Sequence, residues 1–478
     1  MASTLYMSGS PAVRYASGAA LYFAQGIPKG LLHIAMPAWL ASQGAGTGAI
    51  ASYLAIIVLP WAFKLVTGPL MDRFAYRPMG GRRPWVLGAQ FGLVLSLLSL
   101  AAIHDPIAQI GLLTTLGVII NAFTATQDVA VDGMAIDLVP ESEHGRINAF
   151  MSCGKAVGWA VTAALSGTLL VKYGLAVTGA VAAAGAGLVL IAFIFVRERE
   201  GERLLPWTQG EAVGQRRVAS SFKHVLQDLN GVLWTRTSLV VSLIMFFDGV
   251  VTGYGEALMP IAAVKLFSFT TTQWSQLVAM MGLTGAFAAL ALGPLIDRFG
   301  ARTMLLLTIG VVCAHAFLLA GTQHLWTNST YVLFMLSAYV LMQPVTMVCV
   351  IALAMSICST RISATQFAVY MSMANLGHSA GSKIFGSLSE YTNFVQNYAL
   401  LGAIAVTMFG TGPARSGELP EHRLALPVFL FHIALDLNAA PSGAGGGDKD
   451  QCHRHPQYTL LQNASFHKAS PIEIIQSR

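Results

Sequence analysis

The chain consists largely of about a dozen apolar runs, most of them roughly 18 to 25 residues long. At a rise of about 1.5 Å per residue, a helix of this length crosses the ~30 Å hydrocarbon core of a bilayer. A hydrophobic fraction of 55% and a charged fraction of only 10% are typical of membrane proteins and not of soluble domains. We therefore predict an all-α membrane protein with twelve transmembrane helices, at about residues 16–41, 48–71, 85–103, 108–138, 148–171, 174–196, 237–265, 273–296, 302–320, 330–357, 363–388 and 395–411.

Basic residues are distributed unequally between the two sets of loops. When the N-terminus is placed in the cytoplasm, the opposite side keeps only Lys172 and Lys265. This bias follows the positive-inside rule and predicts that both termini are cytoplasmic. It also accounts for the net charge of +6 without a nucleic-acid partner. The basic residues on the predicted cytoplasmic side are Arg73, Arg77, Arg82, Arg83, Arg146, the segment 197–236, Arg298, Arg302 and Arg361.

The first residues lack the charged, apolar and small-residue order of a cleaved signal peptide. We therefore expect the first span to be a retained helix. The five cysteines show no C-x-x-C spacing, so we expect neither a disulfide framework nor a metal site, and no cofactor is predicted.

Two segments of the chain recur at a nearly constant distance. The sequence GPLMDRF at 68–74 returns as GPLIDRF at 293–299, which is 225 positions later. The sequence YFAQGIPKGLLHIAMP at 22–37 aligns with MFFDGVVTGYGEALMP at 245–260, which is 223 positions later. Two halves of six helices with equal topology form a parallel repeat, related by an axis along the membrane normal. We predict an N-terminal half at 1–196, a cytoplasmic linker at 197–236, a C-terminal half at 237–411 and a tail at 412–478.

The linker and the tail differ in composition from the spans. In the linker, helical spacing of apolar residues at 222–229 is compatible with a short amphipathic helix on the cytoplasmic face or with a simple tether. The tail contains the low-complexity run PSGAGGGDKD, and we expect it to be largely disordered.

Many ionisable residues lie within the predicted spans. A charge at the centre of a membrane helix costs at least about 2.5 to 3.5 kcal/mol, so such residues normally face a polar cavity or each other. We therefore expect a polar cavity between the helices. The residues are Lys29 and His33 in the first helix, Lys64 in the second, Asp128 and Asp132 in the fourth, Lys155 in the fifth, Asp248 and Glu256 in the seventh, His315 in the ninth, and His378 and Lys383 in the eleventh.

The fourth predicted helix contains the segment TQDVAVDGMAID, residues 126–137, with three aspartates. Asp128 and Asp132 are four residues apart and share one helix face, whereas Asp137 points away near the cytoplasmic end. Two carboxylates one turn apart repel each other, which favours binding of a proton by one of them. Two interpretations stay open: proton or substrate binding by this pair, or buried ion pairs with Lys29, Lys64 or Lys155 that only fix the packing. For Asp137 we predict a role in a gate or at the helix end.

The repeat places different residues at equivalent positions of the two halves. The pairs are Gln25 with Asp248, Lys29 with Thr252, His33 with Glu256, Gln127 with Gln343, Asp128 with Pro344 and Asp132 with Val348. Acidic residues on the fourth helix are therefore confined to the N-terminal half, which suits a division in which one half handles the coupling ion. Pro28 is expected to interrupt the first helix at mid-depth, and His315 is interpreted as a hydrogen-bonded packing residue.

Four segments together resemble a known family. The sequences YFAQGIP, AFKLVTGPLMDR, TQDVAVDGMAIDLVPESEHG and SICSTRISATQFAVYMSMANLG are similar to the AmpG-type muropeptide permeases and the related acetyl-CoA transporters of the major facilitator superfamily. The stretch from GPLMDRF to GGRRPW, residues 68–85, resembles the superfamily's loop between helices two and three, whose acid and arginines clamp the cytoplasmic gate. The resemblance covers residues 15 to about 395 and implies the major facilitator fold of twelve helices in two pseudo-symmetric halves.

The resemblance also implies functional positions. It places family polar residues at Lys64, Gln127, Asp128, Asp132, Asp248 and Gln366, and a cytoplasmic gate at Asp72, Arg73, Arg82, Arg83, Asp137, Arg146, Asp297 and Arg298. With the residues named from their depth and from the repeat, the predicted proton-coupling and substrate cavity also includes Glu256, Lys29, His33, Gln25, Gln343 and His378. Where the family has basic residues, this chain has Met134, Ala135, Phe247 and His378, so fewer fixed positive charges line the cavity.

These observations predict a transporter and not an enzyme. We expect a monomeric, proton-coupled importer in the bacterial inner membrane that works by alternating access, with a small-molecule substrate, protons and the lipid bilayer as its partners. A bulky polar solute such as an anhydro-muropeptide is the predicted substrate. The alternatives are an acetyl-CoA, peptide, siderophore or drug carrier of the same fold, and, in other classes, a transport-dead membrane sensor or a membrane-bound acyltransferase.

Overall fold

The computed structural model describes residues 5–213, 230–231, 234–358 and 363–411. The amphipathic stretch predicted at 222–229, Arg361 and the tail at 412–478 lie outside these ranges, so the expectations about them stay predictions.

The N-terminal half contains six long helices and one short strand pair. Strand β1 (Leu5–Tyr6) precedes α1, which runs as an α-helix over Pro11–Pro28, as a π-helix over Lys29–Ala35 and again as an α-helix over Met36–Ser42. Helix α2 has three segments, Thr47–Ile57, Leu59–Ala62 and Lys64–Arg73, and is followed by α3 (Arg83–Leu98) and α4 (Ile110–Leu138). The helix His144–Ile194 is divided by Gly174, whose φ of 77° is not helical, into α5 (144–173) and α6 (175–194), and β2 (Val196–Arg197) then pairs in parallel with β1.

The described residues of the C-terminal half form the other six helices. They are α7 (Arg236–Lys265), α8 (Thr271–Ala291, continued by Gly293–Phe299), α9 (Ala301–Gly321), α10 (Ser329–Ile357), α11 (Ser363–Leu388) and α12 (Phe394–Thr411). This architecture confirms the predicted all-α fold of twelve helices in two halves.

By length and apolar composition alone, only some of these helices qualify as membrane spans. In the described part of the chain, six segments meet both conditions: Arg83–Ala102, Ile110–Leu138, Arg146–Ile194, Arg236–Lys265, Ala301–Gly321 and Ser329–Ile357. The segment Arg146–Ile194 contains both α5 and α6. Helices α1 and α11 fall outside this set, and they contain polar residues of the candidate site described below.

Helix starts follow ordinary capping chemistry where they lie outside the apolar spans. Asn328 precedes α10, and its Oδ1 accepts hydrogen bonds from the backbone N–H groups of Thr330 (3.0 Å) and Tyr331 (3.2 Å). Thr235 precedes α7 and accepts a hydrogen bond from the N–H of Ser238 in the same way. These side chains satisfy backbone donors that have no partner inside the helix.

The expected interruption of α1 at Pro28 takes a specific form. The chain stays helical through Pro28, and the following seven residues, Lys29–Ala35, adopt the wider π-helical winding before the α-helix resumes at Met36. A π-helical stretch changes the directions of the side chains that it carries, and such stretches are frequent at functional sites. Proline therefore changes the type of helix here and does not end it.

Close backbone contact joins α1 to α5. A Cβ atom added at Gly26 would lie 2.4 Å from the backbone nitrogen of Trp159, and one added at Gly158 would lie 2.2 Å from the carbonyl oxygen of Phe23. Only glycine leaves room for this contact, as in other membrane helix pairs with small residues four apart. The glycines on the contact are Gly26 and Gly30 on α1, and Gly154 and Gly158 on α5.

The same contact recurs between α7 and α11. A Cβ atom added at Gly253 would lie 2.0 Å from the carbonyl oxygen of His378, and one added at Gly381 would lie 2.1 Å from that of Val250. The four glycines here, Gly249, Gly253, Gly377 and Gly381, each lie 223 positions after their counterparts in the first half. The repeat seen in the sequence is therefore a repeat of helix packing.

One face of the helical bundle carries β1, β2 and the start of α1. Arg14 on α1 donates from Nη2 to Glu143 Oε2 (2.7 Å), which brings the connection between α4 and α5 to the same face. We call it the linker face, because α6 ends there and α7 begins after the segment that joins the halves. The other ends of the helices form the far face.

The two halves contact each other from the far face inward. Lys265, at the end of α7, donates from Nζ to the carbonyl oxygen of Ala45 (2.7 Å), in the connection between α1 and α2. Further along the same interface, the Oγ of Ser379 donates to the carbonyl oxygen of Ala55 (2.6 Å), and Asn375 Nδ2 donates to that of Trp61 (3.3 Å). The halves are thus held together from the far face to about the middle of α2.

Replacing Gly253 by Val tests the helix contact. The added carbons must displace the backbone of α11, and overpacking of this kind costs about 1 to 3 kcal/mol. We expect a lower midpoint of thermal unfolding for Gly253→Val in detergent solution. The control is Gly88→Val on α3, where an added Cβ meets no atom within 4 Å. Equal midpoints for the two variants would contradict this account of the packing.

Candidate functional site

Asp128 on α4 is 3% exposed and lies between two lysines. The Nζ of Lys64 contacts Asp128 Oδ2, and the Nζ of Lys155 lies 3.5 Å from Oδ1. A carboxylate at this depth needs such partners, because low dielectric penalises an unpaired charge. The sequence left open an ion pair with Lys29, Lys64 or Lys155, and the structure selects the last two.

Local backbone structure brings Lys64 to this position. Helix α2 is interrupted at Val58 and again at Phe63, and Lys64 begins its last segment. The interruptions surround Pro60, which cannot donate a backbone hydrogen bond. Lys155 comes to the same place because it lies between Gly154 and Gly158, the glycines that hold α5 against α1.

Aromatic rings surround the two ammonium groups. Trp61 has Lys64 Nζ at 4.4 Å and Lys155 Nζ at 5.0 Å from its ring centroid, and Lys155 Nζ also lies 5.3 Å from the ring of Tyr22. A cation over an aromatic face is stabilised by about 0.5 to 2 kcal/mol, depending on its solvation. Trp61 is itself oriented by a hydrogen bond from its Nε1 to Asn121 Oδ1 (2.8 Å).

Asp132, one turn after Asp128, has a different environment. The hydroxyl of Tyr22 donates a hydrogen bond to its Oδ1. Asp128 is neutralised by two ammonium groups, whereas Asp132 is held by a neutral phenol and repelled by the nearby carboxylate. Protonation of Asp132 therefore relieves repulsion, while protonation of Asp128 gives up two ion pairs. The two acids are thus chemically unequal.

Two glutamines of the predicted cavity lie on α4 and α1. Gln127 Nε2 donates to Gln90 Oε1 (2.6 Å), and Gln90 Nε2 donates to the carbonyl oxygen of Ala186 (2.9 Å). This bonding makes Gln127 part of the packing of α3, α4 and α6. Gln25, one turn after Tyr22, is 1% exposed, and in the described part of the chain neither of its side-chain polar atoms has a hydrogen-bond partner.

A second group of ionisable residues joins the two halves. Glu256 Oε2 lies 3.1 Å from His378 Nε2 and 3.8 Å from His33 Nδ1, and Glu256 Oε1 lies 3.8 Å from Lys29 Nζ. Lys29 and His33 belong to the π-helical stretch of α1, whereas Glu256 and His378 belong to α7 and α11. We call these four residues the inter-half cluster. The side chain of Lys29 is 48% exposed. Since it faces Glu256 across the interface, the space between the halves reaches it.

The other predicted cavity residues are more dispersed. Asp248 lies on α7 two turns before Glu256 and within electrostatic range of His378. Gln366, near the start of α11, donates from Nε2 to Ser238 Oγ (3.0 Å) and to the hydroxyl of Tyr370 (2.7 Å), so it lies toward the linker face. Gln343 is half-buried on α10.

His315 on α9 lies apart from both groups. It is buried, and its Nε2 is hydrogen-bonded to the carbonyl oxygen of Met335 (2.9 Å). Its environment is that of the packing residue expected from the sequence.

Among the predicted gate residues, the structure describes one ion pair between helices. Arg82 Nε lies 3.7 Å from Asp137 Oδ2, which joins α3 to the end of α4. Arg73, Arg146 and Arg298 are exposed. The side chains of Asp72 and Asp297 lie outside the described part of the structure, so their pairing stays a prediction.

Arg83 and Glu198 form a buried bracket within the N-terminal half. Arg83 is 0% exposed and donates to the carbonyl oxygens of Val196 (2.6 Å), Ile194 (2.6 Å) and Leu204 (2.7 Å). The carboxylate of Glu198 accepts the backbone N–H groups of Gly81 (3.0 Å), Arg82 (2.7 Å) and Arg83 (2.6 Å) at the start of α3. Arg83 thus fastens α3 to the chain after α6 and makes these contacts inside one half.

Sequence reasoning missed two acids of the linker face. Glu198 belongs to the run RERE at 197–200, which is typical of a solvated loop and gave no signal of burial. Glu143 pairs with Arg14, and this hydrogen-bonded guanidinium holds the pKa of Glu143 below its ordinary value. The stability from this pair is therefore present above the ordinary pKa of the carboxyl group and is lost as the pH falls through its lowered value.

With this geometry in place, comparison with known proteins gives the family. The profile of the Major Facilitator Superfamily matches residues 18–382. The chain belongs to this superfamily, whose members are transporters.

Relatives with matching sequence cover a shorter region. The anhydromuropeptide permease of Escherichia coli (strain K12) is 28% identical over 146 residues, which are 30% of this chain and 29% of that protein. An uncharacterised protein of Haemophilus influenzae is 30% identical over 141 residues, which are 28% of this chain and 33% of that protein. The chain therefore matches about a third of the length of these relatives.

Solved structures confirm the fold over most of the chain. The crystal structure of a D-xylose-proton symporter superposes with a TM-score of 0.64 at 14% identity, covering 85% of this chain and 99% of the symporter. At this identity the likeness concerns the fold alone.

Replacing Glu198 by Gln tests the bracket. Gln keeps one acceptor oxygen but turns an N–H₂ group toward backbone donors, and a buried donor without a partner costs about 1 to 3 kcal/mol. We expect a lower midpoint of thermal unfolding. The exposed Glu211→Gln, whose hydrogen bond is made by its backbone, serves as the control. A Glu198 variant as stable as this control would show that the bracket does not stabilise the half.

Proposed function

We propose that this transporter is a proton-coupled secondary carrier that imports a bulky polar solute by alternating access. The observation that carries the proposal is the pair Asp128 and Asp132, in which one acid is held by two lysines and its neighbour by a neutral hydroxyl. A carrier needs a group that binds and releases a proton without unfolding its surroundings, and Asp132 meets this requirement.

The coupling step follows from the contacts of the pair. A deprotonated Asp132 adds a second negative charge near Lys64 and Lys155, and this charge holds their ammonium groups more firmly. A proton on Asp132 removes that charge and leaves the carboxylate of Asp128 to balance both lysines. Their ammonium groups, with the side chain of Lys64 23% exposed and that of Lys155 32% exposed, are then available to an acidic group of the solute.

The contacts between the two halves support a cavity that opens toward the cytoplasm. The halves are joined from the far face to about Trp61, and Lys29 is exposed between them. With the N-terminus in the cytoplasm, as the distribution of basic residues indicates, the far face is extracellular and the cavity opens inward. Proton entry is then driven by the membrane potential, which supplies about 2.3 kcal/mol per charge and 100 mV.

The substrate proposed is a cell-wall fragment of the anhydro-muropeptide type in a bacterial inner membrane. It rests on the name of the Escherichia coli relative and on a cavity that combines ammonium groups with the aromatic rings of Trp61 and Tyr22. Acidic groups suit the lysines, and the faces of sugar rings suit aromatic side chains. A coenzyme A carrier would need more basic residues than this cavity presents.

Uptake into proteoliposomes tests this proposal. We expect labelled anhydro-muropeptide to accumulate when an inward proton gradient is imposed, and acetyl-CoA, offered in parallel, to stay outside. Asp132→Asn should lose gradient-driven accumulation, by about tenfold or more, while keeping exchange of labelled for unlabelled solute, because exchange needs no net proton movement. Asp105→Asn, in the exposed connection between α3 and α4, is the control and should retain both activities.

The outcomes separate coupling from substrate. Full gradient-driven uptake by Asp132→Asn would remove that residue from the coupling step and make Asp128→Asn the next variant. Flux of acetyl-CoA without flux of muropeptide would overturn the substrate assignment. Absence of flux for both solutes, in sealed vesicles containing folded protein, would contradict both substrates.

A further inference from the structure

The segment after α6 forms a small closed loop on the linker face. Its ends meet where the backbone N–H of Glu211 donates to the carbonyl oxygen of Gly201 (3.0 Å). We call residues 201–211 the tryptophan loop, because they present Trp207 between these ends. Trp207 is 79% exposed, so the protein itself leaves most of a large apolar ring uncovered.

The tryptophan loop is held together by its own hydrogen bonds. Arg203 donates from Nε to the carbonyl oxygen of Gly210 (3.0 Å) and from Nη1 to that of Pro206 (3.1 Å). The Oγ1 of Thr208 accepts the backbone N–H groups of the two leucines before Pro206 (2.9 and 3.0 Å). These bonds lie on both sides of Trp207. The ring is therefore presented by a compact loop that satisfies much of its own backbone, as functional surface loops often do.

The tryptophan loop is attached to the ends of α3 and α6. Arg83, the first residue of α3, donates from Nη1 to the carbonyl oxygen of Leu204 (2.7 Å). The same guanidinium donates from Nη2 to the carbonyl oxygen of Ile194 (2.6 Å), the last residue of α6. The backbone N–H of Arg203 donates to the carbonyl oxygen of Pro78 (2.7 Å), between α2 and α3. The loop therefore lies at the level where α3 begins and α6 ends.

Helices α3 and α6 lie side by side and expose apolar side chains. A hydrogen bond from Gln90 Nε2 on α3 to the carbonyl oxygen of Ala186 on α6 joins them. Continuous apolar surface of this kind marks a contact with the membrane. The loop thus lies beside lipid, at the outer edge of the N-terminal half. The exposed apolar residues are Phe91, Leu95 and Leu98 on α3, Leu188 and Ile191 on α6, and Phe195 directly after α6.

We propose that the tryptophan loop inserts Trp207 into the headgroup region of the adjoining lipid leaflet and anchors the start of the linker there. Tryptophan is enriched at membrane–water interfaces, because its ring is apolar and its N–H group is polar. The partner is the bilayer surface, which is the cytoplasmic leaflet in the orientation indicated by the basic residues. Neither the solute nor the coupling ion enters the proposal, so it is independent of the proposed function.

The other end of the linker has a similar feature. Trp234, two residues before α7, is 70% exposed. An exposed arginine accompanies each tryptophan: Arg77 lies in the connection that binds the tryptophan loop, and Arg236 begins α7. Basic side chains next to membrane helices attract the anionic lipids of a leaflet. Aromatic rings and arginines at the ends of two spans are therefore complementary to a layer of lipid headgroups.

Accessibility of a spin label tests the anchor. A nitroxide is attached at Trp207→Cys, or at Glu211→Cys as the matched control, in full-length protein without its native cysteines. Each protein is reconstituted in nanodiscs of phosphatidylcholine and phosphatidylglycerol. The side chain of Glu211 is exposed, and the bond that closes the loop is made by its backbone, so a label there keeps the loop closed.

The two labels should differ in the molecules that they meet. Oxygen concentrates in lipid, whereas a charged nickel chelate stays in water. We expect the ratio of oxygen collisions to nickel-chelate collisions to be about threefold or more higher at position 207 than at position 211, because only the first label reaches the lipid interface.

A second measurement keeps the native ring. The difference in fluorescence between the parent protein and Trp207→Phe is the emission of Trp207. We expect lipids brominated near the top of their acyl chains to quench this emission and iodide in water to leave most of it. Because Trp207 is exposed and the change is conservative, both proteins should have equal midpoints of thermal unfolding.

Two results would overturn the proposal. One is an equal collision ratio at positions 207 and 211 together with quenching of the Trp207 emission by iodide, which would place the ring in water. The other is an emission that neither quencher reaches. That result would show that protein covers the ring, either another part of the linker, the tail at 412–478 or a second copy of the chain.

Discussion

Paired glycines bring helices of this protein into backbone contact, and the positions of several polar residues depend on this contact. Membrane helices gain little from apolar side chains alone, because lipid is equally apolar, so close backbone packing and polar contacts decide which helices associate. Here the contact joins α1 to α5 and α7 to α11 with the same spacing in both halves. It fixes Lys155 and His378, each beside a glycine on the contact, at equivalent places in the two halves.

A second constraint is that ionised groups at membrane depth need partners. The N-terminal half meets it internally, with Asp128 between Lys64 and Lys155. The C-terminal half meets it across the interface, with Glu256 facing residues of α1. The same rule of charge pairing therefore stabilises a half in one case and the association of the halves in the other.

The Arg83 and Glu198 bracket ties the start of α3 to the chain at the end of α6, on the linker face. Rigid halves are a condition of alternating access, because the exchange between the two open states moves one half against the other around a central site. Contacts that the proposed movement would break, such as those at Ala45 and Ala55, are single hydrogen bonds to backbone oxygens. Within the N-terminal half, the ion pairs of Asp128 and the close backbone contact of α1 with α5 are more costly to separate than such single bonds.

Several features of this protein were determined by the sequence alone. The length and spacing of the apolar runs required twelve helices, because only helices satisfy their backbone polar groups inside lipid. The internal repeat at an offset of 223 positions required two similar halves. The spacing of four residues between Asp128 and Asp132 put both side chains on one helix face. The sequences GKAVG at 154–158 and GHSAG at 377–381 have the same offset and could have revealed the second glycine contact.

Only the tertiary structure decided which partners the charges have. Lys64 reached Asp128 through the interruptions of α2, Lys29 was turned to Glu256 by the π-helical stretch, and Glu198 became buried under α3. Such choices depend on helix rotation and on the distances between helices, which are set by packing between residues far apart in the chain.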